Sequence, residues 1–247
     1  MAITRSQNQS AGKNPSPSST PPASAAPCSR HGIRKLRAVS RPKPSRAPIS
    51  QHTFGLIQER ICHNLYHLVV QSILWNQTHG RAARPVLVAL LARYPTPASL
   101  AVANVPELTA LLQPIGLHNI RAKRLVALSK AWLEAPPCSE RRYRKMHYPE
   151  RGCGKDVGKN EVLMEGDVRE GWEIAHLPGM GAYALDSYRI FHRDKLRGIL
   201  EREGVEPEWM KVVPGDKDLR SYLVWAWRTQ GWRWVPETGQ RFTLKKN

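Results

Sequence analysis

The chain reads as an all-α domain on three observations. Apolar residues recur at three- and four-residue spacing, no run alternates long enough for a sheet, and a Pro-Gly-x-Gly turn opens onto a further helical stretch. The helical pattern starts after His52. Leu65, Leu68, Val69, Ile73 and Leu74 form one apolar stripe, and Val86, Leu87, Leu90 and Leu91 mark another across residues 81–93. Pro106 suits the first turn of a short helix through Leu112, and Pro114-Ile115-Gly116-Leu117 ends it and turns the chain. Residues 121–133 are amphipathic, with Leu125, Val126, Leu128 and Trp132 on the apolar side. Helical pattern returns over 183–192 and 217–229, the latter with Asp216 as N-cap.

The helical domain is expected over residues 51–238, enough chain for a sizeable core. Residues 135–172, rich in charge, Gly and Pro, and residues 193–208, with Gly198, Gly204 and Pro207, read as surface loops or insertions. The first could reach a polyanion through Arg141, Arg142, Arg144 and Lys145. Residues 239–247 read as a basic C-terminal tail. Residues 1–50 hold nine Lys/Arg, no Asp or Glu, eight Pro and ten Ser, a composition that cannot bury a core and predicts disorder. Their basic part, 30–46, is either a nuclear address, a non-specific DNA tether or a solvated linker.

The net charge is +18 over 247 residues, with a pI near 10.2, which points to a polyanionic partner, most commonly DNA or RNA. No apolar run approaches a membrane span, and the first residues lack the apolar core of a signal peptide. Cys28, Cys62, Cys138 and Cys153 form no CxxC pair or zinc-spaced cluster, and read as reduced thiols of an intracellular protein. An iron–sulfur cluster is not expected from them.

The chemistry concentrates in Leu177-Pro178-Gly179-Met180-Gly181-Ala182-Tyr183-Ala184-Leu185-Asp186. Gly179 and Gly181 permit backbone conformations and close approaches barred to other residues. The turn can therefore aim backbone N–H groups and a helix N-terminus at a phosphate. Asp186 follows Gly181 by five residues, beside that grip, where a nucleotide sugar would be presented. A phosphate grip with one acid suggests chemistry on nucleic acid.

Four separated blocks carry a family resemblance: Gly55-Leu56-Ile57-Gln58-Glu59, Ser72 to Gly80 (SILWNQTHG), Pro114 to Lys123 (PIGLHNIRAK), and residues 177–191. Together they resemble the catalytic domain of the methyl-CpG-binding-domain type mismatch thymine glycosylases, within the helix-hairpin-helix DNA glycosylase superfamily. The likeness runs from about residue 54 to 234 and includes Glu208-Trp209-Met210-Lys211-Val212-Val213-Pro214. No methyl-CpG-binding domain is evident in residues 1–50. The resemblance implies a two-lobed helical fold with duplex DNA in the cleft between lobes. It also implies removal of thymine or uracil mispaired with guanine, with no metal or redox cofactor.

On that resemblance Asp186 is the catalytic acid. Gln58, Trp132 and Tyr183 line the base pocket, although the family carries tyrosine where Trp132 stands. Leu117 plugs the vacated stack, with Gln77 entering from the opposite lobe; vertebrate members have arginine at that position. His118 and Asn119 read the opposite guanine, Arg121 and Lys123 meet flanking phosphates, and Gly179, Met180 and Gly181 form the DNA-binding hairpin, Met180 as its apolar seat. Bifunctional members of the superfamily carry a nucleophilic lysine after the hairpin glycines; here stand Ala182 and Tyr183, so water is the expected nucleophile. A monomer suits an enzyme scanning one duplex. Two alternatives stay open: a glycosylase of the same fold for adenine or an oxidised or alkylated base, and a catalytically silent DNA-binding module.

Overall fold

The structure, a computed structural model, describes residues 53–199 and 205–244. The expectations for residues 1–50 lie outside the described residues, as do 245–247 at the end of the basic tail.

The first helix, α1 (Ile57–Ile61), is a single turn that would not form alone. It is set by Glu59, whose carboxylate accepts the N–H groups of Phe54, Gly55 and Leu56 at 3.0, 2.6 and 2.7 Å. That clamp turns Gln58 inward. Asn64 caps α2 (Leu65–Trp75), which is buried along nearly all its length because it lies at the centre of the fold. Around it pack α3 (Gly80–Arg93), α6 (His118–Glu134) and α7 (Ala182–Phe191). Thr96 and Ser99 box the start of α4 (Pro97–Ala101), and Asn104 caps α5 (Val105–Leu112), which carries Pro106 in its first turn. Both rest on α6. The main core joins Leu68, Val70, Leu74, Leu87, Leu125, Leu128, Leu185 and Tyr188. After the short α8 (Arg193–Leu196) and a 3-10 turn (Glu208–Lys211) comes α9 (Lys217–Thr229), capped by Asp216 through the N–H groups of Asp218 and Leu219. A second apolar cluster gathers there: Ile190, Val212, Leu219, Leu223, Trp227 and Trp234.

The all-α class stands, with helix ends within a few residues of expectation. Three details are corrected. Two small antiparallel hairpins occur, β1 (Arg142–Tyr143) with β2 (Val162–Leu163), and β3 (Trp232–Trp234) with β4 (Arg241–Thr243). Strands of two or three residues are too short to show alternation. Residues 241–243, expected in a tail, thus form a strand. Residues 135–172 are not merely surface loop, since Tyr148, Val157, Leu163 and Trp172 are buried. Their spacing follows an irregular backbone and leaves no period to detect. In the second expected loop Arg193 and Glu208 are buried too, paired at 2.8 Å.

Candidate active site

The site is built on the first two turns of α7. Gly179 and Gly181 are exposed, whereas Met180 between them is buried in the core and anchors the turn. The two glycines are there for different reasons. Gly179 has φ +94°, and a Cβ on it would sit 2.7 Å from Arg124 Cδ, so the fold itself requires it. Gly181 has ordinary extended backbone, and a Cβ there would meet nothing within 4 Å. The start of α7 has no side-chain cap, leaving its first N–H groups uncapped by the protein's own side chains. Ser72, Asn76, Arg124 and Lys145 join the hairpin around a cavity of about 340 Å³, so Lys145 of the 135–172 segment does reach this face.

Asp186 lies one turn deeper and is 4% exposed. Burial pushes its carboxyl up to about 6, against the opposing pull of a hydrogen bond from Tyr148, the Arg189 charge and the Gly215 N–H. The Tyr148 hydroxyl donates to Asp186 Oδ1 at 2.7 Å. Desolvation first, and the neighbouring carboxylate next, raise the Tyr148 phenol, which stays a donor. Tyr183, three residues before Asp186 on the same helix face, and Asp216, which follows the Gly215 bonded to Asp186, both border a cavity of about 370 Å³ with Trp75, Gln77 and Lys217.

The rest of the Asp186-Ser187-Tyr188-Arg189 run fixes that carboxylate in place. Arg189 Nε donates to Glu208 at 2.6 Å, and its guanidinium lies 4.6 Å from the Trp172 ring centroid. Tyr188 donates to Glu173 at 3.0 Å, and Arg193 bridges Glu173 and Glu208. These buried pairs fasten the segment carrying Tyr148 and Trp172 to α7, α8 and the 3-10 turn. Sequence reasoning missed Tyr148, Glu173 and Glu208 as contributors, because nothing local marks a long-range partner; Tyr148 lies 38 positions from Asp186.

Gln58 and Tyr183 do meet, Gln58 Nε2 donating to the Tyr183 hydroxyl at 3.0 Å beside a cavity of about 410 Å³ lined also by Trp75, Arg81 and Arg84. Trp132 is not with them: it packs edge-on against Tyr66 at 5.2 Å, an apolar helix-face residue serving the core. Gln77 and Leu117 are both exposed and both left-handed, with φ of 57° and 49°, a strained state that non-glycine residues adopt where surroundings impose it. They occupy adjoining loops rather than opposite lobes.

The residue that joins these loops is Arg121. Only 3% exposed, it donates to the carbonyls of Ile115 and Gly116 on one side, at 2.6 Å each, and to the Asn76 carbonyl at 2.6 Å and the Thr78 hydroxyl on the other. It cannot also meet a phosphate, which corrects its expected role: five guanidinium donors suit a buried strut between carbonyls better than a surface contact would. Lys123 and Asn119 are exposed, and His118 is half-buried, its Nδ1 without a partner among the described residues.

With this geometry in hand, residues 70–176 match the HhH-GPD superfamily, described as base excision DNA repair proteins. A thymine-DNA glycosylase of Aeropyrum pernix is 33% identical over 102 residues, 39% of this chain and 43% of that protein. A thymine/uracil-DNA glycosylase of Pyrobaculum aerophilum is 36% identical over 135 residues, 55% of this chain and 47% of that protein. The matches thus span under half the length of both relatives. A solved structure titled as a thermostable thymine-DNA glycosylase aligns with TM-score 0.36 and 18% identity, covering 60% of this chain and 50% of that one. The family match closes one residue before Leu177.

Proposed function

We propose that this chain is a monofunctional DNA glycosylase that hydrolyses the N-glycosidic bond of thymine or uracil mispaired with guanine, opening base-excision repair. The observation that carries this is one buried carboxylate, held by Tyr148, one helical turn from the cavity-lining Tyr183 and five residues beyond an exposed glycine turn. Five residues of helix are about 7.5 Å of rise, so a phosphate on the turn would bring its own nucleotide to the acid. Gly181 supports the phosphate contact, since the fold leaves its side-chain position open and a bound backbone would not. Arg124 and Lys145 add positive charge at the same place. The names of the relatives support the choice of thymine and uracil.

As the bond between C1′ and the base nitrogen breaks, the base leaves with the electron pair and the sugar becomes cationic. Ionised Asp186 stabilises that cation, where a dry, preorganised charge acts most strongly. Water then adds to C1′, and Asp186 takes its proton. Leu117 and Gln77 fill the vacated stack from adjoining loops, at a cost of eversion that is least for a mispair. DNA lies in a cleft between two lobes of the domain, bound by a monomer, and the abasic product passes to other repair enzymes. The basic stretch 30–46 serves as a nuclear address.

Duplexes carrying G·T, G·U or A·oxoguanine, incubated with the protein and then treated with alkali, test the reading. Strand breaks at G·T and G·U are expected. Breaks only in the A·oxoguanine duplex would reassign the substrate, and none at all would favour the silent binding module. Borohydride should trap no covalent adduct, because the turn carries no lysine.

A further inference from the structure

Gln71 has no place in the chemistry above, yet its environment is unusual. It is fully buried on α2, in a helix whose other inward side chains are mostly apolar. An amide in such surroundings is costly unless both ends are bonded. Here one end is bonded: Nε2 donates to the Tyr183 hydroxyl at 2.9 Å, while Oε1 has no partner among the described residues. Gln58 Nε2 donates to the same hydroxyl at 3.0 Å, from α1. Two glutamine amides from two helices thus converge on one phenol oxygen of a third, which has two lone pairs to offer them. The phenol proton is left to turn elsewhere.

We infer that Gln71 is a positioning residue for base selection: through Tyr183 it holds the Gln58 amide with its carbonyl oxygen toward the base cavity. This rests on the proposed glycosylase function. With Nε2 anchored, Gln58 keeps Oε1 free of any hydrogen bond among the described residues, at the edge of the cavity it lines. A fixed acceptor there suits the N3–H of thymine and uracil. Cytosine presents a bare nitrogen at the same position, and two acceptors would face each other. Gln71, bonded to the phenol from α2, fixes the oxygen on which that orientation depends. An apolar residue at position 71 would fill the space without the orphaned oxygen, so packing alone does not call for glutamine.

The experiment is a double-mutant cycle on the full chain, read as single-turnover excision of uracil from a G·U duplex, with duplex affinity measured in parallel. Gln71→Met should slow excision about tenfold, the worth of one lost hydrogen bond, with unchanged affinity. In a Gln58→Leu background the same change should alter the rate less than about twofold, because the residue it acts through is gone. Tyr183→Phe, which keeps the ring and removes the shared oxygen, should reproduce the Gln71→Met loss and decides the matter if that variant does not fold. A folded Gln71→Met with wild-type rate, or equal losses in both backgrounds, overturns the inference. Failure of the wild type to excise any base would instead overturn the glycosylase function itself.

Discussion

A carboxylate at 4% exposure in a helix is held at an electrostatic disadvantage, and Asp186 shows how much of it the neighbours offset. Burial raises its pKa from 3.8 to about 6, so it is still ionised at neutral pH. The folded state binds the Asp186 proton more tightly than the unfolded chain does. The stability this gives is complete below pH 3.8 and is lost as pH rises through 6. Asp186→Asn should therefore be more stable than the wild type at pH 7.5, by about 3 kcal/mol, with the gap closing toward pH 4. Catalysis has the opposite requirement. Excision should fall as pH drops through about 6, with the slope of one proton. Tyr148→Phe removes a bond to the charged form and should move that acid limb to higher pH. An unmoved limb in that variant would disconnect the phenol from the acid. Asp186 was legible from a local motif, whereas Tyr148 was not, because its partner is reached only through the folded segment between them.

At the level of elements, the loop after α2 and the turn before α6 act as one unit because Arg121 ties them together. Removing a buried guanidinium that serves four oxygens leaves those oxygens unpaired. Arg121→Met should lower the melting temperature and cut excision more than tenfold, since both left-handed residues, Gln77 and Leu117, lose their support. A stable, fully active Arg121→Met would remove the strut. The glycine pair makes a second contrast. Gly179→Ala should destabilise the fold, but Gly181→Ala should leave melting unchanged and weaken DNA binding, as checked by thermal melts and fluorescence anisotropy. Helix positions were legible where apolar spacing is long and regular, as in α2, α3, α6 and α9, and the Asp216 cap was read correctly. What escaped were the short helices α1, α4 and α8, the two hairpins, and the difference between Trp132, a core residue, and a pocket residue. An apolar helix face has the same sequence pattern in either case.

For the whole molecule, charge and burial have to be separated. The chain carries +18, but Arg121, Arg189 and Arg193 are buried in structural bonds and cannot release counterions from DNA. Lys145 and Arg124, beside the exposed turn, can. Lys145→Ala should flatten the salt dependence of duplex binding by about 0.9 in the log–log slope, while Arg121→Met should leave the slope alone. Equal slopes in wild type and Lys145→Ala would place the phosphate elsewhere. The 135–172 segment, charged and aperiodic in sequence, is in the fold the carrier of Tyr148 and is bolted down by the Arg189, Arg193, Glu173 and Glu208 pairs. The catalytic assignment meets its most direct test in Asp186→Asn, by single-turnover excision and equilibrium binding on a G·U duplex. A loss of at least a hundredfold in excision with affinity held is the predicted result. Excision within tenfold of wild type would contradict it.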